Sequence, residues 1–289
     1  MAAIPSARAV RRKIRAIGNI RKITRAMQMV SASKLKKVQE RLLELRPYAD
    51  GLEEFLRRLA GPPGASGHPL LAPRREIRAV GAVVVMSDKG LCGSYNANMM
   101  RHAQRFLEGL GKPVRAVAVG RLAAEFFRRQ GVEPEAVYTQ LPIRMPIGRI
   151  KAMARHLLEM FTSGKVDEIH LLFTRYVNAL TFRPGRVKLL PVEAEEPRPT
   201  LSRPEYEFEP EPGRILDRLL PSYLEVAFHR LLLESMSSEH AARMNAMRHA
   251  TDNATDLIDN LTLLYNKARQ AGITKELLDI VGGAEALKG

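Results

Sequence analysis

The chain has 289 residues, of which 45% are hydrophobic, so it is long enough to form one or two domains with a real core. Its formal net charge of +15 favours an anionic partner, whether nucleic acid, lipid headgroups or an acidic protein surface. A single cysteine, Cys92, excludes an internal disulfide and a cysteine-based metal cluster, and no apolar run is long enough to cross a bilayer.

The first predicted element is a long helix over 8–59. Its second half carries apolar residues spaced by three and four, the seam of a left-handed coiled coil: Leu35, Val38, Leu42, Leu45, Ala49, Leu52, Leu56 and Leu59. Pro47 is expected to bend this helix locally. Arg21 and Thr24 interrupt the seam in the first half, where polar residues weaken pairing but fix its register. The arginine-rich start resembles a transit peptide, but the pattern continues into the helix without a break, so we interpret it as mature sequence.

The charge on this helix is one-sided. Between 8 and 46 the only acids are Glu40 and Glu44, against these basic residues: Arg8, Arg11, Arg12, Lys13, Arg15, Arg21, Lys22, Arg25, Lys34, Lys36, Lys37, Arg41 and Arg46. A solvated helix face is the ordinary interpretation of a charge run. The density here favours an acidic counter-surface.

The middle of the chain alternates strand and helix patterns between two linkers. Residues 61–75 form a glycine- and proline-rich linker, and 193–213 form an acidic, proline-rich one with a short strand at Tyr206–Phe208. Between them, 76–192 predict an α/β domain with a mostly parallel, Rossmann-like sheet. Strands are predicted at 77–86, 114–119, 136–141, 169–177 and 179–190, the last two as a hairpin, and helices at 96–110, 122–130 and 150–161.

The last element is a helix over 214–289, beginning near Ile215. No proline follows Pro221, so this helix would extend over roughly 100 Å at about 1.5 Å per residue. A helix of that length needs a partner, and the N-terminal helix (domain 1–60) supplies one as an antiparallel coiled coil. Its predicted seam is Leu220, Leu224, Ala227, Leu231, Ser235, Ala242, Ala246, Ala250, Asn253, Leu257, Leu261, Leu264 and Ala268.

No active site is predicted. The Ser87–Asn96 loop follows a strand and opens a helix, but it lacks both G-x-G-x-x-G and G-K-[ST]; anion binding by its backbone amides stays open. The histidines lack zinc-site spacing, and His102 and His156 are expected on helix surfaces. Cys92 has no base near it in sequence and is interpreted as a structural thiol. We therefore predict no catalytic, cofactor-binding or metal-binding residues.

Three segments resemble one family, the gamma subunit of the F-type, proton-translocating ATP synthase. They are KIRAIGNIRKITRAMQMVSASKLKKVQ at 13–39, MSDKGLCGSYN at 86–96, and ITKELLDIVGGAEA at 273–286, preceded by NKARQAG. In the last segment Thr274, Glu276, Asp279, Gly283, Ala284 and Ala286 match the family signature. The resemblance runs from end to end, and the order helix, α/β domain, helix is the family's order.

The resemblance implies a non-catalytic rotor shaft on the cytoplasmic face of the cell membrane, in the CF(1) sector. The terminal helices would turn inside a ring of three alpha and three beta subunits, with the α/β domain on the membrane c-ring beside epsilon. It further implies that Arg269 and Gln270 hydrogen-bond a beta catch loop, and that Met27, Arg243, Thr274 and Glu276 belong to the coupling region. The absence of the plastid two-cysteine insertion favours a bacterial protein.

Parts of the sequence are also typical of two other classes of protein. A basic helix beside a heptad seam is also typical of a coiled-coil nucleic-acid-binding protein, but few aromatic residues accompany the charges. A nucleotide-dependent enzyme on the central sheet would need the phosphate loop that the sequence lacks.

Overall fold

The computed structural model describes residues 6–59, 68–193, 209 and 211–286. Residues 61–67 of the first predicted linker and most of the second, including the strand predicted at Tyr206–Phe208, lie outside the described residues. The helices are α1 (Ala7–Leu59), α2 (Tyr95–Leu110), α3 (Arg121–Arg129), α4 (Ile147–Thr162) and α5 (Pro212–Ala286). The strands are β1 (Val80–Val85), β2 (Val114–Val119), β3 (Ala136–Tyr138), β4 (Glu168–Tyr176) and β5 (Phe182–Leu190). Long helices at both ends thus flank an α/β region, which confirms the predicted fold class.

The five strands form one sheet in the order β3-β2-β1-β4-β5. The pairs β1–β2, β1–β4 and β2–β3 are parallel, and β4–β5 is the predicted antiparallel hairpin. Every residue of β1 is buried, as a central parallel strand covered on both faces requires. The predicted β3 extended to 141, but the strand stops at Tyr138, since only Ala136, Val137 and Tyr138 pair with β2.

The alternation of side chains along the strands builds two cores, one on each face of the sheet. Val83 and Val85 of β1 pack with α4 and with apolar residues of α1 and α5, including Leu56 and Phe228. Ala82 and its alternating neighbours pack on the other face against α2 and α3. The chain around the sheet is therefore layered as helix, sheet, helix.

The chain divides into two compact units. The sheet unit comprises Ala32–Arg243, and the terminal unit comprises Met1–Ser31 with Met244–Gly289. In the sheet unit the predicted α1 seam is buried at Leu35, Val38, Ala49, Leu56 and Leu59. Helix α1 continues through Pro47, and α5 continues through Pro221. No helix among the described residues combines the length and apolarity that a membrane crossing requires.

In the terminal unit α1 and α5 meet through a polar pair, because Thr24 and Thr251 place their Oγ1 atoms 2.8 Å apart. The buried face of α5 here includes Met247 and Ala254. The predicted seam residues Asn253 and Leu257 are exposed instead, so this part of the predicted seam is wrong by one residue. Ala246, Ala250 and Asn253 offer no large apolar group to fix the register, and small or polar side chains at neighbouring positions pack equally well.

Candidate functional site

One face of α5, which we call the docking face, packs on the sheet unit where β1 and β4 end. It consists of small and polar residues at helical spacing: Ser235, Ser238, Glu239, Ala242 and Arg243. Strands β1 and β4 lie side by side, and the chain leaves them in opposite directions across the sheet. Open α/β proteins bind ligands at such a point, outside the carboxyl ends of the strands. Here the chain's own helix lies there.

A hydrogen-bond network lies at the centre of the docking face. The hydroxyl of Tyr95, at the start of α2, lies 2.9 Å from Ser235 Oγ. Ser235 Oγ also accepts a bond from the Thr174 backbone amide of β4 at 3.3 Å, and Ser238 Oγ donates to the Thr174 carbonyl at 3.0 Å. Burial raises the pKa of Tyr95, so its hydroxyl stays protonated. The network therefore holds α5 on the sheet through neutral groups.

The Ser87–Asn96 loop is built around a buried amide. Asn96 Oδ1 accepts from the Ser87 backbone amide at 3.1 Å, and Asn96 Nδ2 donates to Ser87 Oγ at 2.8 Å and to Cys92 Sγ at 3.0 Å. Cys92 is 2% exposed and packs with Tyr95 and Ala242, and burial raises the pKa of its thiol. A buried, protonated thiol of this kind is structural.

Arg243 joins this loop to α5. Its Nη1 lies 2.7 Å from Glu239 Oε1, and its Nη2 donates to the carbonyls of Lys89 at 3.0 Å and Gly90 at 3.3 Å. The arginine side chain is only 11% exposed. Burial raises the pKa of Glu239, while the nearby guanidinium opposes that shift. At Lys89 and Gly90 the loop thus presents carbonyl oxygens to a cation, whereas an anion site would present backbone amides.

His240, beside Arg243, is neutral at physiological pH. Burial, reinforced by the positive charges of Arg243 and Lys34, lowers the pKa of its imidazole to about 4. The docking face therefore holds the ion pair Glu239–Arg243, and the ring of His240 beside that pair is uncharged. We therefore interpret this neutral, buried imidazole as a structural residue.

Five of the six residues predicted as partner contacts lie in the terminal unit, and the sixth, Arg243, lies in the sheet unit. Arg269, Gln270, Thr274 and Glu276 are exposed on α5, and Met27 is half-buried on α1. Thr274 Oγ1 donates to the backbone carbonyl of Gln270 at 3.0 Å, so this bond does not involve the Gln270 side chain. The structure therefore brings four of the six together on one exposed helix and uses Arg243 within its own chain.

The end of α5 exposes a set of large apolar side chains. Their exposed fractions are 51% for Ile273, 58% for Leu277, 66% for Leu278, 68% for Ile280 and 62% for Val281. Side chains of this kind on one short stretch mark a surface that meets a partner. The side chains of Asp279, Ala284 and Ala286 lie outside the described residues.

The histidines elsewhere form no metal centre: among the described residues no group of three or more His, Cys, Asp or Glu is placed to hold an ion. His102 and His156 were expected on helix surfaces, but both are partly buried, each with a buried, unpaired Nε2 atom. Tyr138 stacks edge-on against His156 at 6.4 Å between ring centroids. Both rings are therefore half-buried on their helices, and the ring of His156 is covered in part by that of Tyr138.

Comparison with known proteins gives a consistent result. The profile of the ATP synthase family matches residues 6–287. The ATP synthase gamma chain of Heliobacterium modesticaldum is 44% identical over 291 residues, covering 98% of this chain and 100% of the relative. That of Desulfitobacterium hafniense is 45% identical over 283 residues, covering 98% and 99%.

Solved structures share the fold. The rotor of the Euglena gracilis mitochondrial ATP synthase in rotational state 1 aligns with a TM-score of 0.64 at 16% identity, over 92% of this chain and 98% of the other. A chain of the Tetrahymena thermophila mitochondrial ATP synthase central stalk and c-ring aligns with a TM-score of 0.59 at 24% identity, over 79% and 99%.

Proposed function

The chain belongs to the ATP synthase gamma-chain family, and from this premise we propose that it is the central rotor shaft of an F-type ATP synthase. The observation that carries the proposal is identity of 40–45% to gamma chains over nearly the full length. The subunit does no chemistry itself; ATP is made or hydrolysed on beta. Its part is to couple transmembrane proton flow to those sites by turning inside the alpha–beta ring.

The proposed division of labour follows the chain. Residues 1–60 and 214–289 form the shaft helices, and 76–192 form the α/β domain that rests on the c-ring beside epsilon. Segments 61–75 and 193–213 connect them. Such a subunit is peripheral, on the cytoplasmic face of the cell membrane.

Coupling requires that the shaft contact the beta subunits differently in each of their states, because a shaft that contacts all states equally would bias none. The exposed side chains of α5 in the terminal unit supply such contacts. We assign Arg269 and Gln270 to a beta catch loop, and Met27, Thr274 and Glu276 to the coupling surface. Arg243 belongs to the same coupling machinery, although its described bonds are internal.

The basic face of α1 fits the same role. Between Ala7 and Ser31 the sequence has no acidic residue, and most of its arginines and lysines are exposed. A dense positive surface of this kind is attracted to acidic loops lining the ring. The nucleic-acid alternative is not favoured, because the helix that carries this charge already pairs with α5 through Thr24 and Thr251.

Co-expression with alpha and beta subunits tests the proposal. The chain should co-elute on size exclusion at one copy per three alpha–beta pairs and should raise the steady ATPase rate of that peak. The alpha–beta subunits without it serve as the control. Elution of the chain alone, or ATPase activity of the chain alone, would overturn the assignment.

A further inference from the structure

The outer part of the Ser87–Asn96 loop is exposed but fixed. Lys89, Gly90 and Leu91 are all exposed, and Leu91 is 64% so. The inner part is anchored by Asn96, whereas the carbonyls of Lys89 and Gly90 are bound by Arg243 from α5. The loop is thus held from two sides, once by the α/β fold and once by the helix.

The arginine is itself oriented. Glu239, one turn earlier on α5, holds Nη1, which turns Nη2 and Nε toward the loop. A planar guanidinium carries donors on several edges and so bonds a carboxylate and two carbonyls at once, which a lysine ammonium does in a far less defined geometry. Both partners of the ion pair are mostly buried, at 11% and 19% exposure. The arrangement is therefore a built clamp rather than a mobile surface charge.

The clamp sits at a mechanically significant position. Arg243 is the last residue of α5 within the sheet unit, and α5 continues from there as one helix to Ala286. The more N-terminal ties of the docking face, Ser235 and Ser238, bind Tyr95 and Thr174. If the sheet unit were twisted about the α5 axis, Arg243 would be the last of these contacts along the helix to bear the force.

We propose that Arg243 is a positioning residue that clamps the Lys89–Gly90 turn onto α5, so that torque on the α/β domain passes into the shaft helix through this loop. The inference rests on the proposed rotor function and specifies which internal contact transmits the force. It assigns Arg243 an action through its own chain, where the family resemblance implies a contact region for the ring.

The test uses the complete ATP synthase, purified with this subunit and reconstituted in phospholipid vesicles. The Arg243→Gln variant should lower the number of protons pumped per ATP hydrolysed by about threefold or more. Hydrogen exchange of amides in 87–96 should accelerate in the same variant. Arg248→Gln is the matched control: Arg248 also pairs with an acid four residues away, but both side chains are 63% exposed, so neither readout should change.

A covalent replacement of the clamp separates the two possible actions of Arg243. Cys92 packs against Ala242, so the double variant Ala242→Cys, Arg243→Gln is oxidised slowly by O₂ with a copper catalyst, two thiols losing two electrons and two protons. Loss of both free thiols confirms the bond. With the loop tied covalently to α5, pumping per ATP should return toward the unsubstituted value and should fall again on reduction.

Each outcome decides the proposal. Pumping that stays low with the disulfide formed would mean that Arg243 acts by touching the ring. Unchanged exchange of 87–96 in Arg243→Gln would show that no such clamp exists. Failure of the unsubstituted chain to assemble with alpha and beta would instead overturn the rotor function, and that result is visible before any variant is made.

Discussion

Helix α5 passes through two environments. In the sheet unit its apolar residues Leu220, Leu224 and Phe228 are almost completely buried. In the terminal unit Leu263 and Leu278 are 70% and 66% exposed on the same helix. The first stretch contributes burial free energy to folding, whereas the second leaves apolar surface in water that only a partner can cover. A continuous helix therefore has one part that stabilises the subunit and another that serves assembly.

The sharpest test of this contrast replaces one apolar side chain in each stretch. Phe228→Ala should lower the free energy of unfolding by about 3–5 kcal/mol, because it opens a cavity in the main core. Leu278→Ala should change it by less than about 0.5 kcal/mol, because the side chain is already in water. Urea unfolding of the isolated subunit measures both changes. Equal losses would mean that the two stretches of α5 contribute equally to stability.

The buried stretch should also make stability depend on pH. The pKa of His240 is about 4 in the folded chain against an ordinary value of 6.5, so the unfolded state binds the proton more readily. Stability is then undiminished above pH 6.5 and falls as the pH drops from 6.5 toward 4. His240→Gln should remove about 2–3 kcal/mol of the loss between pH 7 and pH 4.5. Urea titrations at several pH values measure the free energy of unfolding. If its dependence on pH is the same in His240→Gln, the lowered pKa of His240 is contradicted.

Removing a hydrogen bond from the docking face should lower the free energy of unfolding by less than removing a side chain from the core. Tyr95→Phe removes the hydroxyl beside Ser235 Oγ without opening a cavity, and it should lower the free energy of unfolding by about 1–2 kcal/mol. Tyr48→Phe, at a tyrosine that is 57% exposed, is the matched control and should have no effect. A cost equal to that of Phe228→Ala would mean that the network outweighs the apolar core.

The terminal unit has its own, weaker internal tie at Thr24 and Thr251. Thr24→Val or Thr251→Val alone should cost about 1 kcal/mol or less. The double variant should cost less than the sum, because two apolar groups then meet. A double-mutant cycle from denaturant unfolding gives the interaction energy. Strict additivity would mean that the two hydroxyls do not interact.

The exposed end of α5 should show the opposite balance of effects. Arg269→Ala combined with Gln270→Ala should leave the thermal unfolding of the subunit unchanged, since both side chains are exposed. Turnover of the assembled complex should fall by about fivefold or more if they contact beta. The ATPase rate and the melting curve are measured on the same preparation. Unchanged turnover would remove both residues from the contact surface.

The sheet unit could be predicted closely because its signals are strong. Continuous β-branched runs such as β1 indicate a strand buried on both faces, and the leucine seam of α1 fixes which face of that helix is covered. Where side chains are small or polar, as at Ala250 and Asn253, the period of 3.6 drifts against a seam of 3.5, and the buried face was placed one residue away.

The docking face could not be predicted from local sequence, because the residues that it binds are distant from it along the chain. Tyr95 and Ser235 are separated by 140 residues, and nothing local marks them as a pair. The resemblance assigned Arg243 to the coupling region, whereas in the structure its guanidinium bonds Glu239 and the Lys89 carbonyl of its own chain. A local signal did exist, since Glu239 lies four residues before it, the spacing of an intrahelical ion pair. The partner contacts of the terminal unit remain predictions.

Cys92 has a practical consequence for watching this molecule move. Thiol-reactive dyes attack the thiolate of an accessible cysteine, whereas Cys92 is 2% exposed and its pKa is raised by burial. The folded chain is therefore nearly silent toward such dyes as it stands. A cysteine introduced at Leu180, on the hairpin between β4 and β5 and 76% exposed, would carry a fluorophore or bead as the single reactive handle. Single-molecule rotation could then be recorded without first removing the native thiol.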